Sequence, residues 1–389
     1  MEMRTQEELH GIVIIGGGIS GLATALGLHK KGMKSVVLER SETLRNTGAA
    51  IAFFHNGWHA FDHLGVGDQL RAKSTLITEM HTKWVHKDGT GDVIPIGEEG
   101  LRCVKRSDIV DALADSLPSE SIRFGCRIVA VETDPVTSFH AVHLEDGSVM
   151  RTKVLIGCDG SNSVVAKTLG LKPPNLFRTQ VAQAVTSYPN GHGLSNHFLY
   201  LWGDKLLLGR VPIDEKTVYW FVVQEVNPKD FESKEDSRVV RDLTVEALKD
   251  CPAEVVEMVK RCRFPYIESD IMDNDCGWGC YTLAGSGTIQ GAGTALEDAV
   301  VLARCLSQEM PIGLSESKMS DQEIQIRAGV ALRRYARERR WRILLLSAKS
   351  YLLGSILCAS WPKRFVFLII FSKILGGKFS HTKYDCGHL

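Results

Sequence analysis

One segment constrains the fold of this chain more than any other: the run GIVIIGGGISGLATALGLHKKGMKSVVLER, which begins at Gly11. An apolar run enters three consecutive glycines, a helical pattern follows, and a second apolar run ends at Glu39 and Arg40. This order predicts a strand, a glycine turn, a helix and a parallel strand, which is the opening βαβ unit of a Rossmann-type α/β domain.

The glycines of this turn are spaced as G-x-G-x-x-G, at Gly16, Gly18 and Gly21. The first permits the tight turn, the second lets the backbone approach a diphosphate, and the third lets the helix pack closely on the strand. Glu39 follows Gly21 by 18 residues, where a carboxylate suits the hydroxyls of an adenosine ribose. The spacing alone would also fit a purely structural glycine turn. With strand, helix and acid in this order, we expect a dinucleotide whose diphosphate lies at the helix N-terminus.

The composition limits the partners of the chain. Of its 389 residues 44% are hydrophobic and 24% are charged, and the formal net charge is 0. A neutral chain has no electrostatic reason to bind nucleic acid or an anionic membrane. Ten cysteines without paired short spacings indicate free thiols in a reducing compartment. The pair Cys276 and Cys280 in CGWGC lacks a second pair to complete a zinc site, so we expect no metal.

The two ends of the sequence bear on location. MEMRTQEELH has three glutamates and no apolar core, unlike a secretory or transit peptide, so we expect a cytoplasmic protein and leave plastid or membrane periphery open. The apolar segment that follows the arginine-rich stretch is interrupted by charges before it reaches the roughly 18 residues of a membrane span. We expect amphipathic helices packed on the body, with docking on a membrane surface as the alternative.

The remainder of the chain indicates a discontinuous organisation. Antiparallel strand patterns fill residues 172–235, after which the sequence returns to the first domain. A plain NAD-linked dehydrogenase would continue with further parallel βα units, so this layout favours a flavin enzyme. The predicted parts are an FAD-binding domain of residues 1–75, 98–171 and 265–330, an inserted and mainly antiparallel β substrate domain of residues 76–97 and 172–264, and a C-terminal helical segment of residues 331–389.

Local patterns give further predictions. Ala49 to Gly65 reads as a loop followed by a helix, and Met80 to Ile96 as a hairpin that turns at KDGTGD. A helix is expected over Arg106 to Leu117 with Ser107 as its N-cap. The arginines between 333 and 342 predict a helix with a solvated or salt-bridged face.

Three histidines, His55, His59 and His63, repeat at i, i+4 and i+8 and therefore share one helix face. This spacing is compatible with a metal site. No carboxylate or cysteine partner is visible beside them, so a solvated or packed face is the favoured interpretation.

Longer motifs make the resemblance specific. The chain resembles plant FAD-dependent monooxygenases of the aromatic-hydroxylase type, similar to salicylate-hydroxylase-like and zeaxanthin-epoxidase-like proteins. The resemblance runs nearly end to end and is carried by GGGISGLATALGLHKKG, LRNTGAAIAFFHNGWHAFDHLGVGDQL, RCVKRSDIVDAL, VLIGCDGSNSVVAKTLG, ALEDAVVLARCL and YDCGHL. It implies an oxidoreductase that uses FAD, NAD(P)H and O₂.

The resemblance also implies a set of cofactor-binding positions. The glycine turn and Glu39 form the ADP-half site, Arg106 contacts the flavin cofactor, Asp159 and Gly160 form a second fingerprint, and Arg45 with TGAAI passes near the flavin ring. The full set of predicted cofactor-binding residues is Gly16, Gly18, Gly21, Glu39, Arg40, Arg45, Arg106, Asp159, Gly160, Gly285, Gln290 and Gly291. As simpler alternatives, the two arginines would lie on the surface and the Asp-Gly pair would only end a strand.

The third fingerprint of the family departs from its usual form, in which Gly-Asp-Ala is followed by a His-Pro segment and a Gly-Gln-Gly turn. Ser286 stands in place of the aspartate, and Glu297 comes only 12 positions after Gly285. The hydrogen bond from a ribityl hydroxyl to that aspartate would be lost, at a cost on the order of 1–3 kcal/mol. A shortened loop would also admit water to the flavin. Three explanations of this departure stay open: the chain is a poor or inactive enzyme, it derives from an altered transcript, or another loop compensates.

Two functions follow for this sequence. The first is an FAD-dependent, NAD(P)H-consuming monooxygenase that inserts one oxygen atom from O₂ into a small aromatic or apolar substrate, with no side-chain base that the sequence identifies. The sheet residues Trp202, Arg210 and Trp220 would line or back its substrate side, or simply form the core of the sheet. The alternative is a catalytically impaired homologue that binds a nucleotide or metabolite without turnover. Substrate identity and oligomeric state cannot be read from the sequence.

Overall fold

The computed structural model describes residues 9–44, 49–85, 91–171, 179–203, 206–225, 237–262, 266–269, 291–310, 319–358 and 382–389. Within these ranges the strands are β1 Leu9–Ile15, β2 Val36–Leu38, β3 Ala50–Phe54, β4 Leu76–Ile77, β5 Glu79–Trp84, β6 Gly91–Pro95, β7 Leu101–Lys105, β8 Ile122–Arg123, β9 Ile128–Thr133, β10 His140–Leu144, β11 Val149–Gly157, β12 Thr179–Ser187, β13 Phe198–Trp202, β14 Leu206–Pro212, β15 Thr217–Glu225 and β16 Tyr266–Ser269. The α-helices are α1 Ile19–Lys30, α2 His55–Leu64, α3 Gly67–Arg71, α4 Arg106–Asp115, α5 Val164–Thr168, α6 Ser237–Ala247, α7 Ala253–Arg261, α8 Gly291–Glu309 and α9 Asp321–Cys358.

A six-stranded sheet contains the predicted βαβ unit. Its strand order is β8-β2-β1-β11-β10-β9. The first four strands pair in parallel, and β11, β10 and β9 form an antiparallel meander. Helices α1, α4 and α8 pack together over this sheet. The α/β class and the Rossmann-type opening that the sequence predicts are confirmed.

A seven-stranded sheet has the order β16-β12-β15-β14-β13-β5-β6. All its neighbours are antiparallel except β13 and β5. The hairpin β5–β6 forms as predicted, while residues 87–90 of its KDGTGD turn lie outside the described residues. The hairpin and strands β12–β16 share this sheet, and the division of the chain into domains stays a proposal.

Two local predictions are wrong. The segment before α2 is strand β3 rather than a loop, because Ala50–Phe54 pairs along its whole length with β7 in a small antiparallel sheet of order β3-β7-β4. Ser107 is not the N-cap of α4: the helix already begins at Arg106, and Lys105 occupies the cap position with an extended backbone.

The arginine-rich stretch forms a helix as predicted and lies within α9. The apolar segment 359–381 lies outside the described residues. None of the described helices combines the length and the apolar run that crossing a bilayer requires.

Candidate functional site

Two glycines of the glycine turn, residues 16–21, are required by the fold itself. Gly16 has a φ of +104°, which side chains rarely adopt, and a Cβ there would lie 2.4 Å from the carbonyl oxygen of Cys158. A Cβ on Gly21 would lie 1.9 Å from the oxygen of Gly16. Any side chain at either position would therefore force strand β1, helix α1 and the turn after β11 apart.

Gly18 is different, because nothing in the described part of the protein requires a glycine there. Its backbone is extended, with φ −80° and ψ −177°, and a Cβ would meet no described atom within 4 Å. Helix α1 starts at the next residue, and its first i→i−4 bond runs from the N–H of Leu22 to the oxygen of Gly18. The preceding N–H groups of this first turn have no partner within the helix, and they point where an anion can bind. The open space in front of Gly18 therefore fits a diphosphate.

Glu39 lies against the glycine turn. Its side chain is buried, and its Oε2 accepts a hydrogen bond of 2.8 Å from the N–H of Gly17, while Oε1 accepts one of 2.9 Å from the N–H of Ser41. Each oxygen keeps acceptor capacity, so the carboxylate fits the hydroxyls of a ribose bound beside the turn. Arg40 follows it and is exposed to solvent.

The second fingerprint is brought beside the first by strand pairing. β11 runs parallel to β1, and the N–H of Cys158 donates to the oxygen of Ile15 at 2.7 Å. Asp159 accepts hydrogen bonds from the Ser163 hydroxyl at 2.6 Å and the Val164 N–H at 2.7 Å. Its carboxylate therefore orders the turn that leads into α5. Gly160 has a φ of +78°, and a Cβ there would meet no described atom within 4 Å.

The remaining predicted positions differ in what the structure describes. Arg106 is half-buried at the start of α4, and its N–H donates to the oxygen of Ala49 next to β3. Gly291 is the first residue of α8, which packs along α1. Arg45, Gly285 and Gln290 lie outside the described residues, and so does Ser286.

The two faces of the seven-stranded sheet have different surroundings. One, which we call the aromatic face, carries Phe198, Tyr200, Trp202, Tyr219 and Phe221 and packs against β3 and β7. The other, the helix-covered face, packs against α6 and α7.

Of the three sheet residues that the sequence singled out, only Trp202 lies on the aromatic face. Trp220 is buried on the helix-covered face and donates from Nε1 to the Thr186 hydroxyl at 2.9 Å. Arg210 lies on the same face, with Nη1 3.5 Å from Glu254 of α7. These two residues back the sheet and do not line its aromatic side.

A polar pair interrupts the aromatic face, and the sequence offered no signal for it. The Tyr219 hydroxyl donates to Oε1 of Gln183 at 2.7 Å. Both residues are at least partly buried and stand on neighbouring strands, at positions two residues apart in register. Period-2 alternation places Gln183 on this face but does not reveal its partner.

Sequence reasoning also missed a buried ion cluster formed by Glu297, Asp298, Arg339 and Arg342. Asp298 Oδ1 accepts from Nε of Arg339 at 2.6 Å, and Glu297 Oε1 accepts from Nη2 of Arg342 at 2.8 Å. Burial raises the pKa of Asp298 to about 6, against the opposing effect of Arg339. The arginine-rich face of α9 is thus partly salt-bridged in the interior. The conspicuous Glu-Asp pair and arginines were visible in the sequence, but their pairing was not.

Comparison with known proteins connects these features to a family. Residues 10–259 match the FAD binding domain family. Monooxygenase 1 of Arabidopsis thaliana is 39% identical over 401 residues, covering 97% of this chain and 99% of that protein. Monooxygenase 2 of the same plant is 34% identical, covering 97% and 98%. A third relative, 3-hydroxybenzoate 6-hydroxylase 1 of Aquipseudomonas alcaligenes, is 27% identical over 77% of this chain and 82% of its own length.

Solved structures share the fold. A variant of HpxO from Klebsiella pneumoniae, complexed with FAD, superposes with a TM-score of 0.77 at 20% identity, covering 96% of this chain and 98% of that one. A 2-methyl-3-hydroxypyridine-5-carboxylic acid oxygenase gives a TM-score of 0.71 at 19% identity, with 98% of each chain covered.

Proposed function

Because the chain belongs to the FAD-dependent monooxygenases of the aromatic-hydroxylase type, we propose that it hydroxylates or epoxidises a small aromatic or apolar compound at the expense of NAD(P)H. In the hydroxylation, substrate, O₂, NAD(P)H and one proton give hydroxylated product, NAD(P)⁺ and water. One oxygen atom enters the substrate, and the other is reduced to water by the two electrons of NAD(P)H.

The glycine turn supports this proposal most directly. The chemistry that FAD supplies when bound is two-electron transfer from NAD(P)H and activation of O₂. The open space at Gly18 and the free N–H groups of α1 would hold its diphosphate, and Glu39 its ribose. Arg40, Arg106, Asp159 and Gly160 remain proposed contributors.

At the flavin end of the site, the proposal includes three residues that lie outside the described ranges. Arg45, Gly285 and Gln290 would approach the flavin, with Gly291 at the start of α8. The alternative of a catalytically impaired homologue gains no support from the comparisons, since both relatives matched along nearly their whole length carry the name monooxygenase.

We place the substrate at the aromatic face of the seven-stranded sheet. Aromatic side chains offer apolar area and edge-to-face contacts to a ring, and the Gln183–Tyr219 pair offers hydrogen bonds that would orient a polar substituent. The names of two relatives, 6-methylsalicylate 1-monooxygenase and 3-hydroxybenzoate 6-hydroxylase, support a ring that carries a carboxylate and a hydroxyl. What the protein contributes is to bind and orient the ring and to exclude water.

Purified protein tests the proposal. We expect a yellow protein with a flavin absorbance band, NAD(P)H oxidation that hydroxybenzoates stimulate, and a product that gains one oxygen atom from ¹⁸O₂. Colourless protein that does not take up added FAD would refute it. Oxidation of NAD(P)H that yields only hydrogen peroxide with every aromatic acid tried would refute the monooxygenase step.

A further inference from the structure

The surface of helix α2 meets the C-terminal residues 382–389 at a cluster of metal-binding side chains. We propose that His59, His63 and Asp385, with His388 as a fourth ligand, bind one divalent transition-metal ion of the zinc type. This inference does not depend on the proposed function.

The donor atoms are already close together. One ligand atom from each of His59, His63 and Asp385 lies within 4.8 Å of the others. Nδ1 of His59 is 3.5 Å from Oδ1 of Asp385, and the His63 and His388 ring centroids are 4.8 Å apart. Two donors on a tetrahedral zinc ion lie about 3.4 Å apart, given bond lengths near 2.0–2.1 Å. Closing the site therefore requires shifts of about 1 Å, which side-chain rotation supplies.

Helix α2 presents the two histidines together. Its opposite face buries Trp58, Phe61 and Leu64 in the core, so positions 59 and 63 are held one turn apart at the surface. Their ring centroids are 5.2 Å apart. Histidines at i and i+4 on one helix face are a recurrent arrangement for binding one metal ion.

Several contacts hold the C-terminal residues in place. The Tyr384 ring lies under the buried arginines of α9, and Cys386 is 1% exposed within the core. Arg304 donates from Nη1 to the carbonyl oxygens of Cys386 and His388. Gly387 adopts a φ of +71° and donates its N–H to Asp385 at 2.7 Å. These contacts leave Asp385 and His388 on the outside, beside α2, so little ordering is needed when an ion binds.

The chemistry of the donors selects the class of ion. Three imidazoles and one carboxylate suit zinc and its neighbours, whereas Mg²⁺ and Ca²⁺ prefer oxygen ligands. Nε2 of His63 is buried without a hydrogen-bond partner among the described residues, and an ion would satisfy it. Without an ion, the same residues would form only a surface histidine–aspartate pair.

Calorimetric titration of untagged, full-length protein with ZnCl₂, after removal of metal with EDTA, tests the site. We expect saturable binding of one Zn²⁺ per chain, unaffected by MgCl₂. The affinity should fall at least about tenfold in His63→Gln and in Asp385→Asn, the latter at an exposed side chain.

His55→Gln is the matched control, because His55 lies on the same helix face but pairs with Glu99 at 2.7 Å. Its affinity for Zn²⁺ should stay within about twofold of wild type. Far-UV circular dichroism verifies that every variant is folded. The assignment is overturned if no saturable binding occurs. It is also overturned if His63→Gln and Asp385→Asn leave the binding unchanged, as they would if surface thiols bound the ion.

Discussion

Arg339 on α9 and Glu297 on α8 form an ion pair in which both side chains are fully buried, with Nη2 2.6 Å from Oε2. Asn56 on α2 adds a hydrogen bond to Glu297 at 2.6 Å. With Asp298 and Arg342, the cluster balances two carboxylates against two guanidinium groups. It therefore joins three helices that come from distant parts of the chain, and charge balance is what makes its burial tolerable.

Glu297→Gln tests this balance. The change leaves an excess positive charge in the interior, so we expect the free energy of unfolding to fall by about 3–5 kcal/mol. Urea denaturation followed by circular dichroism measures it. The matched control is Glu323→Gln, which breaks the exposed pair with Arg327 on α9 and should cost at most about 1 kcal/mol. Equal losses in the two variants would contradict a special role for the buried cluster.

The features that the sequence predicted correctly are those encoded locally. The β1–α1–β2 unit is specified by two apolar runs, a glycine spacing and a helical pattern within about thirty residues. The position of Glu39 against the turn follows from the same short stretch. Short runs of apolar and aromatic residues likewise indicated the antiparallel strands of the second sheet.

What the sequence could not give depends on residues far apart in the chain. The short apolar run of β3 does not by itself distinguish a strand from a loop, and it is a strand because β7, some fifty residues later, supplies its hydrogen bonds. The carboxylate beside the α2 histidines is Asp385, which tertiary packing brings there from the other end of the sequence. Pairing of Glu297 with Arg339 is equally non-local.

Gly18→Val separates cofactor binding from folding. A side chain at Gly18 meets no described protein atom but fills the space assigned to the diphosphate. We expect a folded protein that retains less than about a tenth of the wild-type FAD content, measured by absorbance after gel filtration. Gly21→Ala is the contrasting variant, since its Cβ would collide with the oxygen of Gly16. It should lower the melting temperature. Full FAD occupancy in Gly18→Val would rule out a diphosphate at this turn.

Gln183→Leu tests the proposed substrate face. The change removes the acceptor of the Tyr219 hydroxyl and an orienting group, so we expect KM for a stimulating hydroxybenzoate to rise about tenfold, with FAD content unchanged. Thr186→Val on the same strand is the control. Its hydroxyl faces α7, donating to the Met258 oxygen and accepting from Trp220, and its loss should cost stability of about 1–3 kcal/mol. An unchanged KM in Gln183→Leu, together with a raised KM in Thr186→Val, would place the substrate elsewhere.

The pH dependence of stability should report on His197. Burial, the stacked ring of His81, Arg210 and Lys83 lower its pKa to about 4, and only Glu79 opposes them. The unfolded chain, with a histidine pKa near 6.5, binds the proton first as pH falls, so stability is complete above about pH 6.5 and decreases between there and about pH 4. Because His197 is partly exposed, we expect its share of the loss to be about 1–2 kcal/mol. Urea midpoints measured across this range should depend less on pH in His197→Gln than in wild type. His81→Gln should reduce the pH dependence by a smaller amount, because it removes one of the groups that lower the His197 pKa. A His197→Gln profile that coincides with wild type would show that this imidazole titrates alike in the folded and unfolded states.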